Sequence, residues 1–469
     1  MHISIFHNSS AAHCNSICLS DDAGKTEKLG FSQPLYIFER YYCPMSMQYL
    51  KKTDPKPPED QVRIRELVTE VLDRVRREGE TAVRHYSEKF DKWSPASFKV
   101  TSDEITAAEK AIPQKLKKSI LFLRDQVKLF AEAQKKTLTD FEVETHNGVK
   151  LGQKYIPLSS VGVYVPGGRY TLIASAIMSI VPAKVAGVRR VVACMPAKGG
   201  KMNPYVIYAM HVAGADEIFS IGGSQAIAAM AYGMEGLLEP VDMIAGPGNK
   251  FVTEAKRQVF GRVGIDLLAG PTEIGIIADA TADLKLVAAD IVGQAEHDPD
   301  SPQFLVTTSR EIAESINVEI ERQLKDLPTA EVARAAWNRN GEIILVSDRK
   351  EMVEVSDRFA PEHLEVHAED LDWYFRNLQN YGALFLGSET TVAYGDKAVG
   401  TNHILPTGKA ARYTGGLWVG KYMKNVTYQR LSEQGSLLIA PVCEDISDAE
   451  GMIGHARSAT VRIAKYSKK

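Results

Sequence analysis

The spacing of hydrophobic residues changes once along the chain, near residue 159. Before that point, residues 59–90 and 102–135 carry apolar side chains at helical spacing, and residues 102–104 are of the type that caps a helix start. After it, short runs of Val, Ile and Phe alternate with helical stretches. Strands that alternate with helices predict an α/β fold built on parallel sheets.

Glycine-rich loops follow several of the predicted strands. The strands of this first alternating unit are predicted at residues 161–165, 191–194, 218–221 and 241–244. Three loops, at 166–168, 222–223 and 246–249, could converge on one crevice, because a doubly wound sheet binds ligands beyond the carboxyl ends of its strands. None matches G-x-G-x-x-G or a Walker loop. They could hold a phosphate or a dinucleotide, or their glycines could be plain turn residues.

A second alternating unit begins after residue 272. Its strands are predicted at residues 273–277, 304–306 and 342–346, and a helix at 283–292 follows the first of them. The fold class that we expect is α/β, with two doubly wound, incomplete Rossmann-like parallel-sheet domains and a helical C-terminal segment.

The composition is that of an ordinary globular protein. Of 469 residues, 44% are apolar and 25% are charged, and the net charge is −3, so no global basic field favours nucleic acid or an anionic membrane. No apolar run approaches the length that spans a bilayer. Five cysteines, an odd number, fit a reducing compartment better than a disulfide framework, and we expect a cytoplasmic protein.

The first 46 residues differ from the rest of the chain. They show little helical or strand periodicity, and they lack the basic start and apolar core of a signal peptide. We expect a disordered extension, or translation from upstream of a true start at Met45 or Met47.

Residues 293–300 (GQAEHDPD) close the predicted helix at 283–292. If that helix continues, Gln294 and His297 are three residues apart and share a face. An amide oxygen and an imidazole side by side could be two zinc ligands, although glutamine is the less usual of the two. The alternative is an ordinary helix C-terminus with a histidine facing the helix dipole.

Three further pairs of polar residues lie downstream. They are Glu362 with His363, Asp396 with His403, and Glu450 with His455. The first pair could supply two acid–base groups to one pocket or lie in a solvated loop. The second could supply an oxygen ligand and a second polar group or belong to a turn, and the third could be surface residues of a late helix. Spacing alone does not show that these groups meet.

Seven motifs, in this order along the chain, together resemble the histidinol dehydrogenase family. They are residues 161–168 (VGVYVPGG), 221–228 (IGGSQAIA), 246–252 (GPGNKFV), 294–297 (QAEH), 361–365 (PEHLE), 400–403 (GTNH) and 454–457 (GHAR). The matches run through most of the chain after residue 46, and residues 1–46 lie outside the resemblance.

The resemblance implies a role for each matching residue. The implied zinc ligands are Gln294, His297, Asp396 and His455. The implied catalytic residues are Glu362, which activates water, and His363, the general base. The implied NAD contacts are Tyr164, Gln225 and Asn249, and the implied substrate-pocket positions are His403 and Glu450.

The resemblance also implies a reaction and an assembly. The family oxidises an alcohol through an aldehyde to a carboxylate, a four-electron oxidation that uses two NAD in turn. Its members are homodimers whose C-terminal segments cross over, so Glu450 and His455 are expected to serve a shared site.

Two departures from the family pattern concern the substrate. Histidinol dehydrogenases usually carry Ser where this chain has Thr272 and an uncharged residue where it has Lys397. Residues 407–421 (TGKAARYTGGLWVGK) look like the sulfopropanediol dehydrogenase branch, which oxidises 2,3-dihydroxypropane-1-sulfonate to sulfolactate. Extra cations near the pocket suit an anionic sulfonate better than a cationic amino alcohol, unless they are solvated surface charges.

The resulting domain prediction has four parts. They are a disordered or non-native extension (1–46), a first α/β domain with the zinc and catalytic residues (47–158 with 272–405), a second, NAD-contacting α/β domain (159–271) and a C-terminal segment exchanged in the dimer (406–469). Three alternatives for function stay open: oxidation of L-histidinol to L-histidine, a zinc hydrolase, and a non-catalytic zinc-binding homologue.

Overall fold

The structure, a computed structural model, describes residues 17–20, 26–29, 47–53, 61–167, 170–197 and 199–467. The strands, in chain order, are β1 (Ile17–Ser20), β2 (Thr26–Leu29), β3 (Gln48–Lys51), β4 (Phe141–His146), β5 (Val149–Pro157), β6 (Ser160–Tyr164), β7 (Arg190–Cys194), β8 (Glu217–Phe219), β9 (Met243–Ala245), β10 (Gly264–Ile265), β11 (Ile274–Ala278), β12 (Gln303–Thr307), β13 (Gly341–Leu345), β14 (His363–His367), β15 (Ala383–Leu386) and β16 (Met423–Leu431). The strands β1 and β2 form an antiparallel pair, and most of the predicted extension lies outside the described residues.

The helices connect these strands. They are α1 (Gln61–Glu78), α2 (Glu80–Tyr86), α3 (Ser102–Ala111), α4 (Gln114–Lys136), α5 (Ile173–Ala186), α6 (Pro204–Ala213), α7 (Gly223–Tyr232), α8 (Lys250–Val259), α9 (Leu284–Ala295), α10 (Arg310–Leu324), α11 (Ala330–Asn340), α12 (Arg349–Phe359), α13 (Leu371–Asn377), α14 (Val392–Tyr394), α15 (Glu433–Ala449) and α16 (Ile453–Tyr466). Two π-helical turns, Ser87–Asp91 and Gly395–Val399, extend α2 and α14.

A five-stranded parallel sheet has the order β10-β9-β6-β7-β8. Its strands are buried on both faces, because alternate side chains enter two separate apolar cores. Val161 and Val163 of β6 face α5 and α6, whereas Tyr164 faces the core that α7 and α8 share. The chain runs from β6 through β7 to β8 on one side of the sheet and then crosses to β9 and β10 on the other side. The carboxyl end of β6 therefore lies at the topological switch point.

The helices between residues 61 and 136 cover this five-stranded sheet. The apolar stripe of α1, which includes Val71 and Val75, packs against α7 and α8, while α3 packs on α6 and α4 packs on α5. These helices pack on the five-stranded sheet, whereas β3 joins the six-stranded sheet, and the expected grouping of residues 47–158 with 272–405 stays a prediction. The periodicity identified the stripe, but it does not say which sheet the stripe covers.

A six-stranded sheet has the order β15-β14-β11-β12-β13-β3, and β3 is its antiparallel member. Helices α9, α10 and α11 pack on one face around a core that includes Ile276, Leu305 and Ile343. Residues 46–469 form one compact unit, and the division at 158, 271 and 405 stays a prediction.

The C-terminal part begins with a strand before it becomes helical. Strand β16 pairs with β5, which also pairs with β4, in a three-stranded antiparallel sheet, and α15 then packs along α16. The predicted fold class is confirmed, since two mostly parallel sheets with helices on their faces precede a C-terminal pair of helices. Among the described helices, none has the length and apolar character needed to cross a membrane.

Candidate active site

The end of α9 lies beside the start of β14. Gln294 is buried in the last turn of the helix, and His297 follows the last helical residues, with its backbone N–H 3.4 Å from the Gln294 carbonyl oxygen. Strand β11 pairs with β14 in parallel register, so that Ile274 lies opposite His363. The six-stranded sheet thereby sets Glu362 and His363 against the residues that precede β11.

A chain of hydrogen bonds joins Gln294 to Glu362 through Thr272. The Gln294 Nε2 donates to Thr272 Oγ1 at 2.5 Å, and that hydroxyl donates to Glu362 Oε2 at 2.7 Å. The backbone N–H of Glu273 donates to the same carboxylate oxygen at 2.9 Å. The Thr272 hydroxyl donates its proton to Glu362, so it must accept a hydrogen bond from the Gln294 amide nitrogen. The amide oxygen of Gln294 then remains as the atom that could bind a metal.

The position of His363 determines which of its nitrogens can act as a base. Its Nδ1 lies 2.9 Å from the Glu273 carbonyl oxygen, which can only accept, so Nδ1 carries the proton. The other nitrogen, Nε2, is buried and lies 3.9 Å from Asp396 Oδ1, and no described residue forms a hydrogen bond with it. A neutral imidazole with an unpartnered acceptor nitrogen in a pocket is the form that a general base needs.

Burial raises the pKa of Glu362 to about 7, while His363, the Thr272 hydroxyl and the Glu273 N–H act in the opposite direction. Both hydrogen bonds to this carboxylate fall on Oε2. A carboxyl whose pKa lies near neutral pH can exchange a proton with water or substrate at physiological pH.

Asp396 lies in the π-helical turn Gly395–Val399 and is buried. Burial opposes its ionisation, but the neighbouring His403 and His363 outweigh that effect and lower its pKa. The Lys397 ammonium lies 3.3 Å from Asp396 Oδ2 and is half exposed. The Nδ1 of His403 lies 3.2 Å from the Asp396 carbonyl oxygen, and its Nε2 lies 3.0 Å from the hydroxyl of Ser175 on α5.

The donor set at this place fits zinc. Burial lowers the pKa of His297, which favours the neutral imidazole, and the neighbouring histidines lower the pKa of Asp396, which favours the carboxylate. Together with the free amide oxygen of Gln294 they give one nitrogen and two oxygen donors, of the kinds that zinc accepts. We call the predicted residues that converge here the Gln294 cluster: Thr272, Gln294, His297, Glu362, His363, Asp396, Lys397 and His403.

Two predicted site residues lie elsewhere in the chain fold. Glu450 ends α15 and His455 lies in the first turn of α16, and both are exposed. In the described part of the chain each makes only backbone hydrogen bonds to its own helical segment. A single chain therefore does not bring them to the Gln294 cluster, and their role remains a prediction that requires a second copy.

The three residues expected to contact NAD line one cavity of about 590 Å³ at the carboxyl edge of the five-stranded sheet. The Tyr164 hydroxyl accepts a hydrogen bond from the Gly223 N–H at 3.1 Å. Asn249 caps α8, and Gly246 before it has φ +112°, where a side chain would meet the Tyr164 carbonyl. Gln225 is buried at the start of α7, so three loops do converge here, although Gly168 lies outside the described residues.

The cavity and the Gln294 cluster are joined by the loop after β6. Gly167 lines the cavity, and three residues later the Tyr170 hydroxyl donates to the Glu296 carbonyl at 2.7 Å, with its ring edge-on to His297. Residues three apart in the chain are separated by at most about 10 Å, so Gly167 and Tyr170 are close neighbours. A ligand that fills the cavity can therefore extend to the Gln294 cluster.

A second buried polar cluster was missed in the sequence. Asp290, Glu365 and His367, the Asp290 cluster, place their ligand atoms within 4.8 Å of one another, and among the described residues no other His, Cys, Asp and Glu side chains form such a group of three. Asp290 lies one turn before Gln294 on α9, and the other two alternate with His363 on β14. The period-two spacing of His363, Glu365 and His367 was the available signal.

The Asp290 cluster is largely satisfied by its own surroundings. The Thr391 hydroxyl donates to Asp290 Oδ1 at 2.7 Å, and the Val392 N–H donates to Glu365 Oε1 at 2.7 Å. The His367 Nε2 lies 3.4 Å from Glu365 Oε2 and 3.6 Å from Asp290 Oδ2, while its Nδ1 has no partner. Burial and the nearby Glu365 carboxylate raise the pKa of Asp290 to about 7.

The basic segment 407–421 is anchored at the Gln294 cluster. The Thr407 hydroxyl accepts from the Gly270 N–H at 2.6 Å, and the Gly408 N–H donates to Glu273 Oε1 at 2.8 Å. The charge of Lys409 lowers the pKa of Glu273, although burial raises it overall. The segment therefore brings a positive charge within electrostatic reach of a residue that holds His363.

Comparison with known proteins gives one consistent result. The model of the family described as histidinol dehydrogenase matches residues 55–463. A histidinol dehydrogenase homolog of Shouchella clausii is 52% identical over 90% of this chain and 100% of its own length. A sulfopropanediol 3-dehydrogenase of Ruegeria pomeroyi is 50% identical over 90% and 97%, and a histidinol dehydrogenase of Rhizobium meliloti is 41% identical over 85% and 91%.

A solved structure shows the same fold. The crystal structure of a histidinol dehydrogenase from Elizabethkingia anophelis superposes with a TM-score of 0.83 at 33% sequence identity. It covers 89% of this chain, and this chain covers 95% of it. The fold similarity thus extends over most of this chain.

Proposed function

The chain belongs to the histidinol dehydrogenase family, and on that premise we propose that it oxidises 2,3-dihydroxypropane-1-sulfonate to 3-sulfolactate with zinc and NAD. The balanced reaction of such a primary alcohol is R–CH2OH + 2 NAD⁺ + H2O → R–COO⁻ + 2 NADH + 3 H⁺. The observation that carries this proposal is the buried Nε2 of His363, which has no hydrogen-bond partner among the described residues and lies 3.9 Å from Asp396 Oδ1.

Zinc would be held by Gln294, His297 and Asp396 of one chain, with His455 from a second copy. Bound there, zinc would polarise the substrate oxygen, and NAD would accept a hydride from the carbon that carries it. The residues of the chain supply the proton transfers and the orientation.

In the first oxidation His363 takes the proton of the alcohol at Nε2. The carbonyl of Glu273 holds the other nitrogen protonated and fixes the orientation of the ring. The neighbouring carboxylate of Asp396, 3.9 Å from Nε2, stabilises the imidazolium that forms.

In the second oxidation Glu362 takes a proton from the water that adds to the aldehyde. Its pKa of about 7 lets it accept that proton and release it again near neutral pH. Thr272 and the Glu273 N–H hold one carboxylate oxygen, which orients the other for water.

The charge of the pocket supports an anionic substrate. Lys397 lies 3.3 Å from Asp396, and Lys409 acts electrostatically on Glu273. Opposite charges favour association and like charges oppose it, so two cations favour a sulfonate over the cationic L-histidinol. The 50% identity to a sulfopropanediol 3-dehydrogenase supports the same choice, and oxidation of L-histidinol is the second candidate.

We also propose a homodimer with shared sites. The helix α15 exposes Leu438, Val442 and Ile446 at helical spacing, and β4 exposes Phe141 and Val143. These residues lie on an arm that is formed by β4, β5, β16, α15 and α16. Exposed apolar surface of this kind is suited to burial against a second copy. That arm also carries Glu450 and His455, and the free thiols Cys194 and Cys443 agree with the cytoplasmic location that we expect.

A panel of alcohols tests the proposal. Purified protein with zinc and NAD is given 2,3-dihydroxypropane-1-sulfonate, L-histidinol and the uncharged glycerol, and NADH is followed by its absorbance. We expect the highest kcat/KM with the sulfonate, and we expect Lys397→Met to raise its KM with little effect on kcat. Turnover of L-histidinol alone would show that the second candidate is correct, and absence of NADH with every substrate would favour a hydrolase or a non-catalytic protein.

A further inference from the structure

The cavity at the carboxyl edge of the five-stranded sheet contains a carboxylate to which no role has been given, that of Asp91. Its Oδ2 accepts a hydrogen bond from Gln225 Nε2 at 3.0 Å. Gly222 permits this approach, because a Cβ there would lie 3.0 Å from the same oxygen and 2.5 Å from Pro196. The cavity wall is thus built closely around this side chain.

A local distortion of the chain places Asp91. The helix α2 continues as a π-helical turn, Ser87–Asp91, which ends at Lys92 with φ +54°. Trp93 then fixes the chain to the sheet, since its Nε1 donates to Ser220 Oγ at 2.9 Å. A π-helical turn frequently occurs at functional sites, and here it projects a carboxylate from a helix toward the ends of the strands.

Gln225 shows what a ligand at this place must offer. Gln225 is about 1% exposed, and among the described residues its Oε1 has no hydrogen-bond partner. Because Nε2 already donates to Asp91, the free atom is an acceptor. Two acceptors, the Asp91 carboxylate and the Gln225 oxygen, therefore lie together in the cavity and require a ligand with two hydrogen-bond donors.

The other lining residues identify which half of a dinucleotide fits. Apolar side chains, which include Leu67, Val71, Phe90 and Phe251, form much of the wall and suit a flat base. The nicotinamide half must reach the substrate carbon beside His363 to accept the hydride, so the adenosine half is the one that remains in the cavity. Its ribose carries two neighbouring hydroxyl groups, which are the donors that the two acceptors require.

The charge of the cavity opposes a phosphate on that ribose. Among the described lining residues the charged side chains are Glu70, Lys89 and Asp91, and Arg169 and Lys198 lie outside the described residues. Glu70 accepts from the Tyr86 hydroxyl at 3.1 Å, which leaves Asp91 as the carboxylate beside the free acceptor of Gln225. In open α/β sheets an acidic residue binds the ribose 2′-hydroxyl of NAD, whereas an arginine accommodates the 2′-phosphate of NADP.

We propose that Asp91, together with Gln225, receives the ribose hydroxyls of the adenosine half and selects NAD against NADP. This inference rests on the proposed dinucleotide-dependent function. In a Rossmann fingerprint an acidic residue that follows a strand binds the ribose hydroxyl. This chain lacks that fingerprint, and Asp91 would bind the ribose from a helical turn outside the sheet.

The test compares Asp91→Asn with Glu70→Gln, which removes a charge from the same cavity and serves as the matched control. The Kd values of NAD and of NADP are measured by calorimetry for both variants and for the unchanged protein. We expect Asp91→Asn to lower the preference for NAD at least about tenfold, mainly through tighter NADP binding, because asparagine keeps an acceptor and loses the charge. Glu70→Gln should leave the preference unchanged.

The ratio of the two Kd values is the decisive quantity, because a partly unfolded sample lowers the binding stoichiometry of both nucleotides equally. An unchanged ratio in Asp91→Asn, or the same change in Glu70→Gln, would overturn this inference and leave the proposed oxidation intact. Failure of the unchanged protein to bind either nucleotide would overturn the proposed function, and this inference with it.

Discussion

The Gln294 cluster and the Asp290 cluster occupy the same helix and the same strand. Gln294 and Asp290 are one turn apart on α9, and His363 and His367 are the first and last residues of β14. Both clusters combine a buried histidine with a buried glutamate, His363 with Glu362 and His367 with Glu365. The ligand atoms of the Asp290 cluster lie within 4.8 Å of one another, as a metal site would require. The Gln294 cluster is nevertheless the candidate active site.

The two clusters differ in how their polar atoms are satisfied. In the Asp290 cluster both carboxylates are held from behind, by the Thr391 hydroxyl and the Val392 N–H, and their other oxygens face His367. Among the described residues a buried histidine nitrogen without a hydrogen-bond partner occurs in both clusters, His363 Nε2 and His367 Nδ1, but only His363 Nε2 lies beside a residue that could hold zinc, 3.9 Å from Asp396. Compactness of ligand atoms alone therefore does not identify the reactive site.

His363→Asn should have the largest effect on catalysis. Loss of the general base is expected to lower kcat/KM by roughly 10³-fold, within the range for removal of one acid–base group. His367→Asn is the same change four residues further along β14, and it should lower kcat/KM by no more than about threefold while it lowers the melting temperature. Steady-state kinetics with circular dichroism of both variants tests the distinction, and equal losses of activity in folded proteins would contradict it.

Glu362→Gln should affect the second oxidation in particular. We expect the alcohol to be oxidised while addition of water to the aldehyde slows by roughly 10²-fold or more. The yield should fall from two NADH toward one per substrate, and an aldehyde trap such as semicarbazide should capture the intermediate. Glu365→Gln, in the Asp290 cluster, should still yield two, and a yield of two from Glu362→Gln would contradict the assigned role.

His455→Ala should inactivate the Gln294 cluster in a dimer of two identical variant chains, because neither chain then has the histidine. A partner chain that keeps His455 should restore the site. We expect the homogeneous variant to lose zinc and activity, and we expect a refolded mixture with His363→Asn to regain activity. With equal amounts and random pairing, half of the dimers are mixed and each has one intact site, which gives roughly a quarter of the activity of the unchanged protein. No recovery in a mixture shown to contain mixed dimers would contradict a shared site.

Asp290→Asn should have a smaller effect, on stability rather than on chemistry. The folded pKa of Asp290 is raised to about 7 from its ordinary value of 3.8, so the folded protein holds a proton that the unfolded chain has lost between these values. The free energy of unfolding should therefore fall as the pH rises from about 4 to about 7, and the variant should reduce that slope. Melting temperatures at about pH 5 and about pH 7.5 check the sign, and an equal slope in both proteins would contradict it.

The sequence predicted four strands of the five-stranded sheet, β6 to β9, and three of the six-stranded sheet, β11 to β13, because these strands are continuous apolar runs. Strand β14 was missed, since Glu365 and His367 interrupt its apolar pattern with buried polar residues. The strands of the arm, β4, β5 and β16, were missed because they are largely exposed and show little apolar alternation.

The candidate site was predicted in part. Spacing alone left Gln294 and His297 as possible ligands, and only the family motifs united them with Asp396. The Asp290 cluster and Asp91 were not foreseen, because each depends on contacts between elements far apart in the chain, α9 with β14 and α2 with α7. The place of His455 could not follow from one chain, since that residue is exposed on the arm.

The number of NADH molecules formed per molecule of substrate tests the central claim most directly. Limiting 2,3-dihydroxypropane-1-sulfonate is converted to completion with excess NAD and zinc, and NADH and 3-sulfolactate are both quantified. The assignment of the Gln294 cluster as a four-electron oxidation site predicts two NADH and one sulfolactate for each sulfonate consumed. One NADH with accumulated aldehyde, or no NADH from a folded, zinc-loaded protein, would contradict it.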